Sequence, residues 1–336
     1  MRKYGIFGAG NIGCYVGGKL AAAGIPTTMV GREPLMAEAR ANGITLKDVN
    51  GNESCVMPSA FSAGEGPELL ADAETVFVCV KSTGTPEAAK ILRSTLPFRC
   101  VVISLQNGLR NTAVLREGLF GRTVLGGMVS FNVVRRPGPG FHQATSGPLV
   151  IEAGPGAEDA AGTLRSAGFE VEVRPDFVEV QWSKLLLNLN NAVNALSGVP
   201  LKAQLSQRRY RLIFAAAQRE ALAALKKAGI RTVSFGRLIP RLVPIGLSLP
   251  DFLFFAVARA MVEIDPEARS SMAEDLERGR KTEIDHLNGE VVRLADEAGV
   301  PAPVNRRLVE LIKAAERAGK SPPRFSAAEL TARVAG

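Results

Sequence analysis

A glycine-rich turn near the start of the chain has the residue types that bind a dinucleotide. It lies between a segment predicted to be a strand and a segment predicted to be a helix, and it consists of Gly8, Ala9, Gly10, Asn11, Ile12 and Gly13. Glycines at this spacing allow a tight turn, let the main chain approach a pyrophosphate, and let the helix pack closely on the strand. The helix N-terminus attracts the phosphates. We therefore predict that residues 8–13 bind a dinucleotide.

The residues after the second predicted strand indicate which nicotinamide coenzyme binds. The sequence there is Val30-Gly31-Arg32-Glu33. An acid at this place accepts a hydrogen bond from the ribose 2′-hydroxyl, whereas an arginine pairs with a 2′-phosphate. Arg32 favours NADP(H), and Glu33 leaves NAD(H) open as the competing interpretation.

Two polar residues follow neighbouring predicted strands. Lys81 comes directly after one strand, and Asn107 follows the next strand in a Gln-Asn-Gly sequence. Separately, each has an ordinary interpretation, as a surface lysine and as a turn-forming Asn-Gly pair. Because the carboxyl ends of parallel strands form the ligand crevice of such a sheet, we expect both to face the same crevice.

A lysine stands on an otherwise apolar helical segment in the second half of the chain. At about 100° per residue, Lys184, Asn188 and Asn191 share one face of a continuous helix. Partial burial lowers the pKa of a lysine toward neutrality, so that its ammonium group acts as a general acid on a carbonyl oxygen. The alternative is a helix with one solvated face.

These residues need a sheet and a helical region to position them. The first half alternates apolar runs with helix-like segments, which indicates a Rossmann-type doubly wound sheet. The segments predicted to be strands are Tyr4–Phe7, Thr27–Val30, Thr75–Val80, Val101–Leu105, Thr123–Met128, Pro148–Ala153 and Glu170–Arg174. A turn rich in Gly and Pro is predicted at Arg136–Gly140. After Pro175 the character changes, so we predict an α/β protein with an N-terminal domain over 1–175 and a C-terminal all-α domain over 176–336.

The second domain shows long helical patterns separated by Gly and Pro. The predicted helices are Gln181–Leu196, Gln207–Ala228, Asp251–Ile264 and Thr282–Ala298. Gly279 interrupts the pattern that starts at Arg269, and Thr282 with Asp285 resembles a capping box. One helix is therefore expected to end, and another to begin, between residues 279 and 282.

Composition excludes several classes of protein. The 336 residues are 46% hydrophobic, with a formal net charge of +8 and 6% aromatic residues. This is enough apolar material for two domains, and no nucleic-acid-binding motif accompanies the basic excess. The first residues do not form a secretory signal, and Pro244, Pro250 and Asp251 interrupt the one apolar stretch of interest. We expect a cytoplasmic protein with a small-molecule substrate and no nucleic-acid, membrane or metal partner.

The motifs together resemble those of the ketopantoate reductase family. The resemblance is carried by GAGNIG, VKS, QNG, WSKLLLN, SSM and TEIDHLNG in that order, and it runs over nearly the whole chain. It implies NADPH-dependent reduction of an α-keto acid, 2-dehydropantoate, in pantothenate synthesis. It also implies an active site between a Rossmann domain and a helical domain.

The resemblance assigns roles to individual residues. Lys184 would be the catalytic acid and Asn188 a substrate contact, while Lys81 and Asn107 would line the coenzyme and substrate crevice. Ser271 would bind the substrate carboxylate, Glu283 would contact the coenzyme or a substrate hydroxyl, and the main chain near Val134 would touch the coenzyme. From the residues alone, Ser271 is an N-cap and Glu283 a first-turn partner of the helix dipole.

The chain departs from the family pattern at positions that bear on the substrate. Ala192 and Lys202 stand where asparagines are expected, and Asn191 or Asn194 is a candidate replacement. The segment 231–257 is longer than expected, and three interpretations stay open: a lid, a homodimer surface, or core packing. Two alternative functions also stay open, namely reduction of another small 2-oxo acid and NADP sensing without turnover.

Overall fold

The computed structural model describes residues 2–234, 239–258, 268–319 and 323–335. It divides into two compact units, Met1–Phe177 and Val178–Gly336. The division falls shortly after the boundary that the sequence predicts at residue 175. Within the described residues, the first unit contains the strands, and the second consists of helices and turns.

The main sheet of the first unit has eight strands in the order β12-β11-β8-β7-β6-β1-β2-β5. The strands of the unit are β1 Tyr4–Phe7, β2 Thr27–Val30, β3 Ile44–Lys47, β4 Glu53–Val56, β5 Ser62–Gly64, β6 Thr75–Val78, β7 Val101–Ser104, β8 Val124–Val129, β9 Val133–Arg136, β10 Gly140–Gln143, β11 Leu149–Glu152 and β12 Val171–Arg174. Neighbours from β5 to β8 are parallel, and β11 runs antiparallel to β8. The strand order reverses between β1 and β6, which is where such sheets bind ligands.

The central strands are short and buried, and helices join them. Every residue of β1 and β6 is buried. The helices of this unit are α1 Asn11–Ala22, α2 Glu33–Asn42, α3 Thr85–Thr95, α4 Asn111–Gly118 and α5 Ala157–Ser166. Buried apolar side chains of both kinds of element form the core. The predicted doubly wound α/β fold is confirmed.

A second sheet of four strands, in the order β4-β3-β10-β9, was not predicted. Its strands mix charged and apolar residues, and three of the four residues of β4 are exposed. The predicted turn at Arg136–Gly140 is confirmed, because it joins β9 to β10. Leu46 of β3 lies against α1, where a Cβ on Gly18 would be 3.0 Å from its Cδ2.

The second unit is a set of helices around the longest one, α9. The helices are α6 Phe177–Asn188, which begins at the end of the first unit, α7 Asn190–Ser197, α8 Leu201–Ser206, α9 Arg208–Lys227, α10 Val243–Ser248, α11 Asp251–Ala258, α12 Ser271–Glu277, α13 Asn288–Ala298, α14 Pro303–Ala318 and α15 Ala327–Ala335. The predicted helix at 251–264 begins at Asp251, and its part after residue 258 lies outside the described residues. Across the described ranges, no helix is both long and apolar enough to cross a membrane.

Two predictions about helix ends need correction. The helix predicted over 181–196 is interrupted at Leu189, which separates α6 from α7. The helix predicted to begin at Thr282 is instead a short 3-10 turn, Ile284–His286, followed by α13. Asp285 does not complete a capping box, because the Thr282 N–H donates to the Glu316 carboxylate at 2.7 Å, and the Asp285 carboxylate forms an ion pair with Lys313. The break at Gly279, where φ is +61°, is confirmed.

A buried arginine anchors α10 and α11 to α9. Arg211 is fully buried and donates to the carbonyl oxygens of Leu205, Leu247 and Leu249, and its Nη2 lies 2.8 Å from the Asp251 carboxylate. The guanidinium also lies over the ring of Phe254. The described part of the segment 231–257 therefore has a packed side, although several of its large apolar residues are exposed, namely Ile239, Leu242, Ile245, Phe252, Leu253 and Phe255.

Candidate active site

The turn after β1 is shaped by glycines at two places where a side chain would collide. Gly8 has a φ of +94°, and a Cβ there would be 2.6 Å from Val80 Cγ1. A Cβ on Gly13 would be 2.7 Å from the Gly8 carbonyl oxygen. Gly10 is different, because the nearest atom to a Cβ there is 4.0 Å away. Protein packing does not require a glycine at position 10, and its open side leaves room for a ligand to approach the main chain.

The first turn of α1 fits an anionic group. The helix begins directly after Gly10, and no side chain of the described residues caps it. Its first turn contains no acidic residue. The first N–H groups of a helix carry partial positive charge and lack intrahelical acceptors. Together with the open Gly10 and the packed Ala9 and Gly13, this turn fits the pyrophosphate of a dinucleotide.

The two candidate residues for coenzyme choice differ in their surroundings. Arg32 is exposed at the junction of β2 and α2. Glu33, the first residue of α2, forms an ion pair with Arg40 in the last turn of that helix, with Arg40 Nη1 3.4 Å from one carboxylate oxygen. The hydrogen bond from Arg40 lowers the pKa of the Glu33 carboxyl below its usual value. Arg40 also donates to the Ala63 carbonyl oxygen in β5 at 3.1 Å.

Lys81 and Asn107 lie in loops that a hydrogen-bond network joins. Ser82 Oγ donates to the Asn107 carbonyl oxygen at 2.9 Å, and Asn111 Nδ2 donates to Ser82 Oγ at 3.0 Å. Gln106 Nε2 bridges back to the Val80 carbonyl oxygen at 3.0 Å. Lys81 and Asn107 are exposed, while Ser82, Gln106 and Asn111 are buried. The structure thus brings the two loops together at the carboxyl ends of β6 and β7.

The main chain near Val134 lies close to the glycine turn. Asn11, the first residue of α1, donates from Nδ2 to the Val133 carbonyl oxygen at 3.1 Å. Val134 itself is 41% exposed. The side chain of Asn11 therefore fixes the start of β9 beside residues 8–13, and Ile12 is the next helical residue. The candidate residues of the first unit thus form two groups. One consists of the glycine turn with Asn11 and Val134, and the other of Lys81 and Asn107. The two groups are adjacent, because Gly8 of the turn packs against Val80, the residue before Lys81.

Lys184 lies in α6 and is half-buried. Desolvation lowers its pKa from the usual 10.5 to about 8, while the negative charge of Glu283 acts in the opposite direction. Glu283 comes directly before the 3-10 turn at Ile284–His286. The structure therefore brings Lys184 and Glu283, which are distant in sequence, within electrostatic reach. A lysine of this pKa can both donate and accept a proton near neutral pH.

The interruption at Leu189 separates Asn188 from Asn191. Asn188 is the last residue of α6, whereas Asn191 belongs to α7. Gln218 of α9 donates from Nε2 to the Leu186 carbonyl oxygen at 3.0 Å, which satisfies one of the acceptors that a helix end leaves free. Leu189 itself keeps right-handed helical dihedrals, with φ −58° and ψ −22°, and its N–H donates to the Leu185 carbonyl oxygen at 3.1 Å. That Asn188 and Asn191 share a face with Lys184 therefore stays a prediction.

Asn191 and Asn194 both contact the start of α12. Ser270 Oγ donates to the Asn191 carbonyl oxygen at 3.3 Å, and the Ser270 N–H donates to Asn194 Oδ1 at 2.9 Å. Asn194 is fully buried, and its Nδ2 donates to the Val199 carbonyl oxygen at 2.9 Å. The amide of Asn194 therefore serves the protein's own packing, and it does not replace a substrate-binding asparagine. Asn191 is half-buried.

Ser271 is exposed at the first position of α12, and it is not the N-cap. The N-cap is Ser270, whose Oγ accepts from the Ala273 N–H at 3.2 Å. Ser270, the residue before Ser271, is the one that contacts Asn191 and Asn194 of α7. Of the two unexpected residues, Ala192 is fully buried and Lys202 is exposed on α8.

Sequence reasoning missed two residues that position the site. Arg40 binds Glu33, and the spacing of seven residues, which places both on one helix face, is a signal that could have found it. Gln218 supports the end of α6, and its only signal is a glutamine among alanines in an apolar helix. In the described part of the chain, no group of three or more His, Cys, Asp or Glu side chains could hold a metal ion.

Comparison with known proteins identifies relatives along the whole chain. A family model described as ketopantoate reductase PanE/ApbA matches residues 4–156, and the model of its C-terminal domain matches residues 176–316. The 2-dehydropantoate 2-reductase of Halobacterium salinarum is 29% identical over 326 residues, which cover 93% of this chain and 98% of the relative. The enzyme of the same name from Mycobacterium tuberculosis is 30% identical over 310 residues, covering 92% and 96%.

Solved structures show the same fold. A PanE/ApbA family ketopantoate reductase from Ralstonia eutropha aligns with a TM-score of 0.81 and 30% identity, covering 94% of this chain and 99% of that one. A D-mandelate dehydrogenase, solved with NADH and anilino(oxo)acetate, aligns with a TM-score of 0.77 at 17% identity, covering 94% and 99%. The second likeness concerns the fold alone.

Proposed function

This chain belongs to the ketopantoate reductase PanE/ApbA family, and from this premise we propose that it reduces 2-dehydropantoate to pantoate with NADPH, in pantothenate synthesis. It is an oxidoreductase that acts on a CH–OH group, as are the relatives named 2-dehydropantoate 2-reductase. The observation that carries the proposed mechanism is Lys184, a half-buried lysine with a pKa lowered to about 8 beside Glu283.

The first unit holds the coenzyme in this proposal. Residues 8–13 and the N-terminus of α1 bind the pyrophosphate, and Arg32 binds the 2′-phosphate with its guanidinium fork. Lys81, Asn107 and the main chain at Val134 line the bound coenzyme, and Glu283 is the further coenzyme contact that the family resemblance implies. When bound, NADPH supplies the hydride. The ion pair between Glu33 and Arg40 supports NADPH over NADH, because it occupies the competing carboxylate.

The second unit supplies the proton. Reduction of a carbonyl adds a hydride to carbon and a proton to oxygen, and the Lys184 ammonium is the donor to the developing alkoxide. Asn188, one helical turn after Lys184, and Asn191 donate amide hydrogen bonds to the substrate, as does Asn107. The hydroxyl of Ser271 binds the carboxylate. Each of these groups can donate a hydrogen bond, which suits an anionic 2-oxo acid.

Loss of NADPH absorbance with 2-dehydropantoate tests the function. We expect turnover in the unmodified protein, and Lys184→Ala should lower kcat by about 10²- to 10⁴-fold while NADPH affinity stays unchanged. Lys227→Ala is the matched control, because it removes an exposed lysine in the last turn of α9 in the same unit. Equal turnover by the two variants would show that Lys184 is not the acid.

A second substrate is favoured by one specific observation. Ala192 is fully buried and Lys202 is exposed, so neither supplies the amide expected at its position. Reduction of another small 2-oxo acid is the resulting alternative, and a panel of 2-oxo acids ranked by kcat/KM separates it from 2-dehydropantoate reduction. NADP sensing without turnover is not supported, because a sensor does not need a lysine with a pKa near neutrality.

Self-association stays a prediction. A ketopantoate reductase from Staphylococcus aureus that shares the fold is described as dimeric. Light scattering over a range of protein concentrations measures whether this chain forms a homodimer.

A further inference from the structure

Arg40 and Glu33 form an ion pair that runs along one face of α2. Seven residues separate them in sequence, so they lie about 20° apart around the helix and about 10.5 Å apart along its axis. For the two side chains to meet, Arg40 must extend toward the N-terminus of α2, and Glu33 must extend toward its C-terminus. The structure shows this arrangement, with Nη1 and Nη2 of Arg40 each on one carboxylate oxygen.

Arg40 is itself held in place by the main sheet. Its Nη1 donates to the carbonyl oxygen of Ala63 at 3.1 Å. Ala63 lies in β5, the strand that pairs with β2, and its register partner is Met29. The guanidinium is thus fixed by a main-chain acceptor as well as by the carboxylate, which gives Glu33 a partner in a defined position. Arg32, the residue just before Glu33, is exposed at the end of β2.

We propose that Arg40 is a specificity-determining residue, which turns the Glu33 carboxylate along α2 so that Arg32, and not Glu33, serves the ribose 2′ position of the coenzyme. This inference rests on the proposed use of NADPH. A carboxylate free to reach that position would accept a hydrogen bond from the 2′-hydroxyl of NADH and would repel the 2′-phosphate of NADPH. The ion pair with Arg40 prevents both effects.

Loss of Arg40 should therefore change the choice of coenzyme. In Arg40→Met, the Glu33 carboxylate is no longer held and lies near a phosphate that carries up to two negative charges. At a separation of about 5 Å in a water-like dielectric, the NADPH-to-NADH affinity ratio should fall by about 4- to 15-fold, most at low ionic strength. Arg40→Lys keeps the charge but loses the fork, so it should show a smaller fall.

Binding titrations of NADPH and NADH, followed by coenzyme fluorescence, measure this ratio without turnover. The variants are Arg40→Met, Glu33→Gln, and the double variant. Arg165→Met is a matched control, because Arg165 pairs with Glu158 seven residues earlier in α5 at 3.2 Å and donates to the Val171 carbonyl oxygen at 3.0 Å. Helix α5, which carries Arg165, packs against β11 and β12, and these strands lie at the opposite end of the main sheet from β2 and β5.

We expect Arg40→Met to lower the ratio, the double variant to return it to the value of Glu33→Gln, and Arg165→Met to leave it unchanged. The inference is wrong if Arg40→Met keeps the original ratio, or if the double variant is as low as Arg40→Met, because Arg40 then acts without Glu33. Should Arg40→Met not fold, Arg40→Lys with and without Glu33→Gln decides by the same criterion. An unmodified protein that binds NADH at least as tightly as NADPH contradicts the proposed function as well.

Discussion

The protonation state of Lys184 should set the pH range in which the enzyme reduces its substrate. Burial lowers the pKa of this lysine to about 8. Carbonyl reduction uses the protonated amine, so kcat/KM for the 2-oxo acid should fall as the pH rises above about 8. Oxidation of the hydroxy acid uses the neutral amine, and it should increase through the same pH.

Glu283→Gln provides the perturbation. The carboxylate of Glu283 raises the pKa of Lys184 and so opposes the effect of desolvation. Its removal should lower that pKa further, because the ammonium group loses the nearby negative charge that favours its protonated form. The fall of the reductive rate should then begin at a lower pH, whatever happens to the maximal rate.

The same pKa makes a prediction about stability. The pKa of Lys184 is about 8 in the folded protein and 10.5 as the usual value, a difference of about 3 kcal/mol. Below pH 8 both states bind the proton, and burial of the charge penalises the folded state. Between pH 8 and pH 10.5 only the unfolded state binds it, so this penalty is relieved as the pH rises. Lys184→Met should therefore raise the free energy of unfolding at neutral pH.

The assay is a kcat/KM profile between about pH 6 and pH 10 in both reaction directions, together with denaturant unfolding. Glu310→Gln is the control, because it removes an exposed carboxylate of α14 that pairs with Arg307. A descending limb at the same pH in Glu283→Gln would refute the electrostatic argument. A limb that persists in Lys184→Ala would refute the assignment of the limb to Lys184.

Three further predictions concern other parts of the chain. Arg32→Ala should weaken NADPH binding by roughly 10- to 150-fold, the equivalent of about 1.5–3 kcal/mol, and should leave NADH binding nearly unchanged. An equal loss of affinity for both coenzymes in parallel titrations would contradict this. Gly10→Ala should keep the melting temperature and lose coenzyme affinity, whereas Gly13→Ala should lower both, since only at Gly13 would a Cβ be 2.7 Å from a protein atom. Arg211→Met should lower the free energy of unfolding by about 3 kcal/mol, because buried carbonyl oxygens and the Asp251 carboxylate lose their hydrogen-bond donor. A change of less than about 0.5 kcal/mol in denaturant unfolding, the usual effect of a surface substitution, would contradict this.

The sequence predicted the parts of the fold that depend on local patterns. Strands β1 and β2 agree with the prediction to the residue, because each is a short run of β-branched, aromatic or apolar residues that ends at a turn. The second sheet was missed because its strands are short and mix apolar with polar or charged residues, such as Lys47 at the end of β3 and Glu53 at the start of β4, which pair with each other. Their strand character depends on cross-strand partners distant in sequence, which a local pattern does not contain.

Helix interruptions show the same limit. Residues 181–196 contain no Gly or Pro, so nothing local ends the helix at Leu189. The side-chain contact near the interruption comes from another helix, because Gln218 of α9 donates to the Leu186 carbonyl oxygen at 3.0 Å. The break at Gly279 was predicted because a glycine with positive φ ends helices by a local rule. The sequence therefore predicts a helix end that a local glycine produces, but not one whose contacts come from the side chains of other helices.

Contacts with Ser270 distinguish Asn191 from Asn194. At about 100° per residue, Asn191 lies about 20° from Lys184 around a continuous helix, whereas Asn194 lies about 80° away. In the structure, both polar ends of the Asn194 amide are used, by the Ser270 N–H and the Val199 carbonyl oxygen. Asn191 uses only its main-chain carbonyl oxygen toward Ser270. The amide side chain of Asn191 therefore stays the proposed source of the substrate hydrogen bond that we expect after Asn188.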